Sequence, residues 1–227
     1  EIIFNASHGG YEEIASDPSY FNQIIVMTAS MQGNYGISDL HMESETYHIN
    51  GFVGLEVQNS KRDHSWVGRL VEKGIPVLSE VDTRRLVLRL REGGTPWGAV
   101  LKAEHATEAL EKSESLIQEA KSQEKDWAFS VSRKSVEKYS GQSSSGPRVA
   151  VLDFGVKKNI VRELLKSASE VALFPSRSAA EDILAYSPDG ILLSNGPGDP
   201  VDVEVAVETI GNLVGRLPIF GICMGHQ

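Results

Sequence analysis

The sequence is poor in cysteine, in aromatic residues and in long apolar runs. Its single cysteine, Cys223, cannot form a disulfide within the chain, which is typical of a reducing compartment. Aromatic residues make up only 7% of the 227 residues, but hydrophobic residues make up 41%, an ordinary share for a globular protein. No apolar run approaches the roughly 20 residues that span a bilayer, and no signal-peptide pattern opens the chain. We therefore expect a cytoplasmic protein.

Positive charge is also scarce. The chain has 22 Lys and Arg residues against 31 Asp and Glu residues, which gives a net charge of −9. Such a surface repels phosphate backbones and anionic lipids, so neither nucleic acids nor membranes are expected partners. The chain also has no Gly-rich lysine loop of the Walker type, so any ATP chemistry is expected to take place on another chain.

The two ends of the chain lie inside patterns typical of ordered structure. The sequence begins at Glu1, directly before the apolar Ile2-Ile3-Phe4, and it stops at Gln227, directly after Cys-Met-Gly-His. No methionine opens it. From this pattern we expect a piece of a longer protein that is truncated at both ends.

The clearest change in composition lies at residues 138–147, Lys-Tyr-Ser-Gly-Gln-Ser-Ser-Ser-Gly-Pro. Glycine and serine give a flexible backbone, and this stretch has no aliphatic side chain that would anchor it in a core. The sequence therefore predicts a first domain over 1–137, a linker over 138–147 and a second domain over 148–227.

The second domain alternates short apolar runs with amphipathic segments. Strands are predicted at 148–154, 171–174, 190–194 and 217–222, and helices at 157–166, 179–186 and 203–214. Strands separated by helices predict βαβ crossovers and a parallel sheet. The first domain is mixed α/β, with strands predicted at 23–28, 51–57, 76–78 and 99–101 and helices at 65–73, 83–91 and 106–122. The predicted fold class is therefore α/β for both domains, with the parallel sheet of the second domain incomplete.

The most informative motif is Gly221-Ile222-Cys223-Met224-Gly225, which follows the last predicted strand. Its spacing resembles that of a nucleophile elbow, in which a reactive side chain lies on a tight turn between a strand and a helix. A helix after the turn would favour the thiolate form of cysteine, and the Met224 N–H would point at a developing oxyanion. The alternative is that Cys223 is simply a small buried side chain, a common role for a free cysteine.

A second glycine-rich motif, Ser-Asn-Gly-Pro-Gly-Asp-Pro at 194–200, follows the preceding strand. Ligands of doubly wound sheets bind beyond the carboxyl ends of the strands, so this loop and the cysteine are predicted to share one edge. Gly196 and Gly198 would let backbone amides approach a ligand. Alternatively the loop is a plain connection in which Asp199 caps a helix that begins with Pro200, and both roles are compatible.

Together the two motifs resemble those of class I glutamine amidotransferases. In that family a cysteine attacks the side-chain amide of glutamine and ammonia is released. The resemblance implies that Cys223 is the nucleophile, that the amides of Gly196 and Met224 donate to the oxyanion, and that Gly196, Gly198, Met224 and Gln227 contact glutamine. From the residues alone, the favoured interpretation of Gln227 is an exposed residue in the first turn of a helix.

Motifs in the first domain narrow this resemblance to the small subunits of carbamoyl-phosphate synthases. They are Phe-Asn-Ala-Ser at 4–7, Gly-Asn-Tyr-Gly at 33–36, Asp-Thr-Arg-Arg-Leu at 82–86 and Arg-Glu-Gly-Gly at 91–94, together with Asp-Phe-Gly-Val-Lys-Lys-Asn-Ile at 153–160. The resemblance implies that Ser7 also reaches the bound glutamine. From the residues alone, the Ser7 hydroxyl would bond its own backbone in a turn.

The resemblance implies a subunit that hydrolyses glutamine and passes ammonia to a large synthetase subunit. That partner would use ATP, with magnesium, to make carbamoyl phosphate for arginine and pyrimidine synthesis, within a cytoplasmic heterodimer. No cofactor or metal is expected in this chain. The alternative is a non-catalytic scaffold with an amidotransferase-like fold that binds a synthetase partner.

A cysteine nucleophile needs a base and a group that orients the base. In the family these are a histidine and a glutamate downstream of the cysteine, but this chain has only four residues after Cys223. His226 is either this base or, in the structural alternative, a packing residue at the start of a helix. The other histidines are scattered and show no metal-ligand spacing: His8, His41, His48, His64 and His105. We therefore predict that this chain is not a competent glutaminase by itself.

Overall fold

The computed structural model describes residues 1–58, 60, 66–123 and 125–227. The chain forms two compact units, the first made of Glu1–Ser16 and Tyr20–Gln123 and the second of Asp17–Ser19 and Glu124–Gln227. Among the sequence-based predictions, those for His64 and for a helix start at Ser65 lie outside the described residues. The two units are described separately below.

Six strands of the first unit form parallel pairs. They are β1 (Ile2–Asn5), β2 (Ile24–Met27), β3 (Met31–Gln32), β4 (Gly51–Val53), β5 (Glu56–Val57) and β6 (Val77–Leu78). The main sheet has the order β1-β2-β4-β6, while β3 pairs with β5. β2 and β4 are buried along their whole length, as expected for central strands of a parallel sheet that is covered on both faces.

Within the described residues of this unit, four helices accompany these strands: α1 (Tyr11–Ser16), α2 (Trp66–Glu72), α3 (Thr83–Gly93) and α4 (Ala106–Ser122). α3 begins where it does because the Asp82 side chain accepts a hydrogen bond from the Arg85 N–H at 2.9 Å. The core centres on Trp66, which is fully buried and whose ring lies 4.8 Å from that of Tyr11 and 5.4 Å from that of Phe52. α4 buries none of its residues.

The second unit has a five-stranded sheet flanked by helices. Its elements are α5 (Trp127–Val131), β7 (Glu137–Ser140), β8 (Arg148–Asp153), α6 (Lys158–Ser167), β9 (Glu170–Pro175), α7 (Ala180–Ala185), β10 (Gly190–Leu193), α8 (Glu204–Leu213) and β11 (Ile219–Gly221). The strand order is β11-β10-β8-β9-β7, and every pair is parallel except β7 with β9. The α/β class predicted from the sequence is confirmed, and the sheet places the carboxyl ends of β8, β10 and β11 at one edge.

Alternation of side chains explains why the sheet of the second unit is buried on both faces. In β8, Ala150 and Leu152 belong to one hydrophobic cluster and Val151 belongs to another. Because successive side chains of a strand point to opposite faces, a continuous apolar run such as that of β8 supplies both layers. Helix α6 packs Ile160, Val161 and other apolar residues on the second cluster.

Three details of the structure differ from the sequence-based expectations. Residues 138–140 of the predicted linker belong to β7, an edge strand that shows no apolar pattern because all of its side chains are exposed. The strand predicted over 51–57 is interrupted between β4 and β5. The strand predicted at 99–101 is wrong, because those residues have no strand pairing and Val100 packs on a core cluster without a hydrogen-bonded ladder.

Short 3-10 turns complete the described structure at Pro18–Tyr20, Asp39–His41, Pro200–Asp202 and Cys223–Gly225. None of the helices in the described part of the chain combines the length and the apolar character that a membrane crossing would need.

Candidate active site

Cys223 lies on a strained turn directly after the edge strand β11. The Ile222 N–H, one residue earlier, donates to the carbonyl of Leu193 at 3.0 Å, which fixes the end of this strand against β10. Cys223 itself has φ of 54°, in the left-handed region that non-glycine residues seldom adopt. Its side chain is exposed. A strained turn that presents a thiol to solvent is the local geometry of a nucleophile elbow.

The two glycines of the motif are required by the packing of the backbone. A Cβ atom on Gly221 would collide with the carbonyl oxygen of Gly225, and one on Gly225 would collide with the carbonyl oxygen of Leu193. The Gly225 N–H donates to the carbonyls of Ile222 and Ser194, at 3.0 and 3.1 Å. The turn is therefore packed tightly against the end of β10, which excludes side chains at both positions.

One helical turn begins at Cys223. Its carbonyl accepts hydrogen bonds from the N–H groups of His226 at 2.9 Å and of Gln227 at 3.2 Å. Both residues are exposed. The predicted order of elements was a strand, a tight turn at the cysteine and a helical segment. The structure has β11, then Cys223 with a left-handed backbone, then a single 3-10 turn.

The loop at 194–200 continues from β10 beside the cysteine turn. A Cβ atom on Gly196 would collide with the carbonyl oxygen of Phe154, so the loop lies directly on the residue that follows β8. Gly198 has φ of 90°, and the position of a Cβ atom there would lie 4.0 Å from Met224 Cε. The structure therefore brings Gly196, Gly198 and Met224 to one edge of the sheet.

Asp199 caps the turn that follows it, which is one of the two roles that the sequence allows. Its carboxylate accepts a hydrogen bond from the Val201 N–H at 3.0 Å, and Pro200 occupies the first position of the 3-10 turn that follows. The cap lies three residues beyond Gly196. Because the two roles use different atoms, the cap leaves the glycine amides of the loop available to a ligand.

Two buried residues in this region, Gly196 and Met224, follow the neighbouring strands β10 and β11. Their backbone N–H groups donate to no backbone carbonyl of the described residues. Such donors can stabilise a negative charge that develops on an oxygen atom between them.

No base accompanies the thiol in the described part of the chain. Among those residues no imidazole or carboxylate forms a hydrogen bond with Cys223, and His226 is tied to it only through the backbone. The same residues hold no group of three or more His, Cys, Asp or Glu side chains arranged to bind a metal ion. The described geometry therefore supplies a presented thiol and two donors, without a proton acceptor.

Ser7 belongs to the first unit and follows β1. It is exposed, and its N–H donates to Asn5 Oδ1 at 2.8 Å, so the turn is made by the asparagine side chain. The Ser7 hydroxyl forms no hydrogen bond within the described residues and thus does not make the turn that the residues alone suggested. A contact between Ser7 and glutamine stays a prediction.

The sequence did not predict a buried polar network that lies next to the loop at 194–200. The carboxylate of Asp153, which ends β8, accepts hydrogen bonds from the N–H groups of Gly155 at 2.9 Å and Val156 at 2.7 Å. Its other oxygen accepts from Arg133 Nε at 2.7 Å. Although burial lowers the pKa of Arg133, the adjacent carboxylates of Asp153 and Glu137 raise it above its ordinary value. The available signal was the motif at 153–160, which begins with this aspartate.

The fold and the site define the class of protein. Residues 150–227, which hold both glycine-rich motifs, match the family model of class I glutamine amidotransferases. Residues 1–100 match the model of the carbamoyl-phosphate synthase small chain, CPSase domain. The two models together match most of the chain.

Named relatives agree with these matches over the full length of the chain. The carbamoyl phosphate synthase small chain of Bacillus caldolyticus is 40% identical over 233 residues, covering 100% of this chain and 62% of the relative. That of Staphylococcus haemolyticus is 44% identical over 233 residues, covering 100% of this chain and 61% of the relative. The pyrimidine-specific small chain of Halalkalibacterium halodurans is 39% identical over 231 residues, with 100% and 62% covered. The chain belongs to the carbamoyl-phosphate synthase small-chain family and spans about three fifths of the length of these relatives.

Proposed function

We propose that this chain carries the glutamine-attacking part of a carbamoyl-phosphate synthase small subunit. The observation that supports the proposal most directly is the exposed thiol of Cys223, whose backbone has a left-handed φ, together with the N–H groups of Gly196 and Met224, which donate to no backbone carbonyl of the described residues. Family membership supports glutamine as the substrate. Glutamine is held, in this proposal, by Ser7, Gly198 and Gln227 in addition to the two oxyanion donors.

The proposed reaction proceeds through a γ-glutamyl thioester. The sulfur of Cys223 attacks the side-chain amide carbon, a C–S bond forms, and the carbonyl electrons move to oxygen. The N–H groups of Gly196 and Met224 donate to that oxygen while it is negatively charged. When the carbonyl reforms, the C–N bond breaks and ammonia leaves with the proton that the thiol gave up. Water then hydrolyses the thioester to glutamate and regenerates the thiol.

The proposal extends to the partner. Ammonia passes to a large synthetase subunit, which uses ATP and magnesium to make carbamoyl phosphate for the arginine and pyrimidine pathways, in a cytoplasmic heterodimer. The relatives' shared name of small chain supports a larger partner, and one relative is named pyrimidine-specific. The negative charge of this chain supports a partner that is neither nucleic acid nor membrane.

We further propose that the 227-residue chain does not turn over glutamine by itself. This is supported by the lack, within the described residues, of an imidazole or carboxylate bonded to Cys223, because acyl transfer to cysteine depends on a base and on a group that orients it. The same observation favours the second candidate function, a non-catalytic scaffold that binds a synthetase partner.

Labelling of the thiol tests these proposals. The chain is incubated with a chloroketone analogue of glutamine, and mass spectrometry is expected to find one adduct, on Cys223, whose formation glutamine slows. Iodoacetamide, which does not need the glutamine site, should label the same thiol at a rate that does not saturate with reagent concentration, and Cys223→Ala should remove both adducts. Labelling without glutamine protection would favour the scaffold. Continuous release of ammonia from glutamine, lost in Cys223→Ala, would contradict the proposed incompetence of the chain.

A further inference from the structure

The side chain of Asn195 has no role in the proposed reaction, yet it is buried, and both its amide nitrogen and its carbonyl oxygen form hydrogen bonds. Only 4% of the residue is exposed. Its Nδ2 donates to Ser19 Oγ at 2.8 Å and to the Gly155 carbonyl at 2.9 Å, with Asp17 Oδ1 at 3.4 Å. Its Oδ1 accepts from the Lys157 N–H at 3.2 Å. One carboxamide thus joins three segments of the second unit.

Few side chains could replace Asn195 in this position. An amide offers two N–H donors and one carbonyl acceptor on a short stem, which matches the partners present. A carboxylate of the same shape could accept from the Lys157 N–H but has nothing to donate to Ser19 or Gly155, and it would face the carboxylate of Asp17. The pattern of partners therefore requires asparagine for reasons beyond space filling.

The peptide bond between Asn195 and Gly196 is held by a second contact. Ser194 Oγ donates to the Asn195 carbonyl at 2.7 Å and accepts from the Phe154 N–H at 2.9 Å. Because the peptide group is planar and trans, fixing its carbonyl fixes the opposite direction for the Gly196 N–H. That N–H donates to no backbone carbonyl of the described residues, and the α-carbon of Gly196 is pressed against the Phe154 carbonyl.

We propose that Asn195 is a positioning residue, whose side-chain amide holds the loop so that the Gly196 N–H faces the oxyanion formed on attack by Cys223. The inference rests on the proposed function. The side chain of Asn195 holds the loop through hydrogen bonds to Ser19, Gly155 and Lys157. The hydroxyl of Ser194 fixes the orientation of the peptide group between Asn195 and Gly196. Loss of the Asn195 hydrogen bonds is expected to leave glutamine binding intact and to destabilise only the oxyanion that forms during the attack by Cys223.

The first test separates binding from reaction. Saturation kinetics with the chloroketone analogue give an apparent binding constant and a maximal alkylation rate for the 227-residue chain. Asn195→Ala should lower the maximal rate by about tenfold, less than the loss of a complete oxyanion donor, and leave the binding constant within about twofold. Asn195→Asp should lower the maximal alkylation rate at least as much as Asn195→Ala does, and Ser19→Ala should lower it less. Alkylation by iodoacetamide should stay unchanged throughout.

A matched variant controls for loss of stability. Thr209 is also buried in the second unit, and its hydroxyl donates to the Ser178 carbonyl at 3.0 Å, away from the loop. Thr209→Val should destabilise the fold to a similar degree while leaving the maximal alkylation rate unchanged. An equal fall in rate for Thr209→Val and Asn195→Ala, or no fall in Asn195→Ala, would overturn the positioning role.

A second readout does not depend on glutamine at all. The heteronuclear NOE of the Gly196 amide reports its order, and it should fall in Asn195→Ala but not in Thr209→Val. If the wild-type chain shows no glutamine-protected labelling, the proposed function fails, and this measurement alone decides whether Asn195 orders Gly196. An unchanged NOE in Asn195→Ala would then reject the inference by itself.

Discussion

Gly225 and Gly211 lie in the same unit, but a methyl group added to each should have opposite effects. At Gly225 it would collide with the Leu193 carbonyl, whereas at Gly211, inside α8, nothing lies within 4 Å. We expect Gly225→Ala to lower the free energy of unfolding by about 3 kcal/mol and Gly211→Ala to raise it by about 0.5–1 kcal/mol, because alanine restricts the unfolded chain. Urea unfolding of both variants measures this. Equal effects of the two substitutions would contradict the tight packing of the cysteine turn.

A buried carboxylate in the first unit should make stability depend on pH. Glu12 is 3% exposed, and burial raises the pKa of its carboxyl, only partly opposed by the hydrogen bond from the Ser38 N–H. The folded chain therefore holds this proton more tightly than the unfolded chain does. Stability contributed by the protonated group is present below the unfolded pKa of about 4.3 and is lost as the pH rises through the raised folded value.

Glu12→Gln removes this titration. The difference in unfolding free energy between Glu12→Gln and wild type should grow in favour of the variant from about pH 4 upward, and then become constant above the folded pKa. Urea titrations across that range measure it. Tyr47→Phe, which deletes a hydroxyl 3.5 Å from the Glu12 carboxylate without removing the titrating group, serves as a control. A difference that does not vary with pH would show that Glu12 has the same pKa in both states.

At the scale of single residues, the sequence was informative where the relevant groups are neighbours along the chain. Cys223 could be selected because its glycines lie two residues away, and the turn that they form is local. Asn195 could not, because its partner Ser19 is 176 residues distant. Asp153 is similar, since its partner Arg133 is 20 residues away and lies in no recognisable motif. Polar networks that close over long separations leave no periodic signal.

At the scale of elements, apolar periodicity predicted the buried strands and most of the helices. α4 has the predicted bounds, and β8, β9 and β10 lie within two residues of theirs. β7 was missed because its four residues are exposed and polar, and its strand character comes only from pairing with β9. The error at 99–101 has the converse cause, since apolar side chains there pack without backbone pairing.

Two helix caps should differ in strength because their surroundings differ. Asp82 caps α3 from an exposed position and, among the described residues, accepts only from the Arg85 N–H. Asp126 caps α5 while buried and also accepts from Arg177 Nη2 at 2.8 Å. We expect Asp82→Ala to cost about 1 kcal/mol. Asp126→Ala should cost about 2–3 kcal/mol, because it also removes the buried carboxylate that pairs with the Arg177 guanidinium.

Thermal and urea unfolding give both values, and Asp126→Asn separates the two contributions. The amide keeps an oxygen that can accept from the Phe129 N–H but loses the charge that pairs with Arg177. Its stability should therefore fall between those of wild type and Asp126→Ala. If Asp126→Asn were as damaging as Asp126→Ala, the ion pair would account for the whole effect and the cap for none.

At the scale of the whole molecule, the sequence predicted two units but not how the chain divides between them. The first unit ends at Gln123, and the segment Asp17–Ser19 belongs to the second unit although it lies between α1 and β2 in sequence. No composition change marks these three residues. They are recruited by polar contacts: Lys157 Nζ lies 3.0 Å from Asp17 Oδ2, and Asn195 bonds Ser19.

This division predicts that substitutions near the start of the chain destabilise the second unit. In Asp17→Ala/Ser19→Ala, hydrogen exchange should accelerate in β8 and β10 by an amount equivalent to about 2 kcal/mol, because one partly exposed ion pair and one partly buried hydrogen bond are lost. Exchange in β2 and β4 should remain at the wild-type rate. Ser44→Ala provides the reverse control, since its hydroxyl donates to the Ser16 and Thr46 carbonyls in the first unit. Faster exchange in β2 and β4 with β8 and β10 unchanged, after substitution of Asp17 and Ser19, would mean that the segment stabilises the first unit instead.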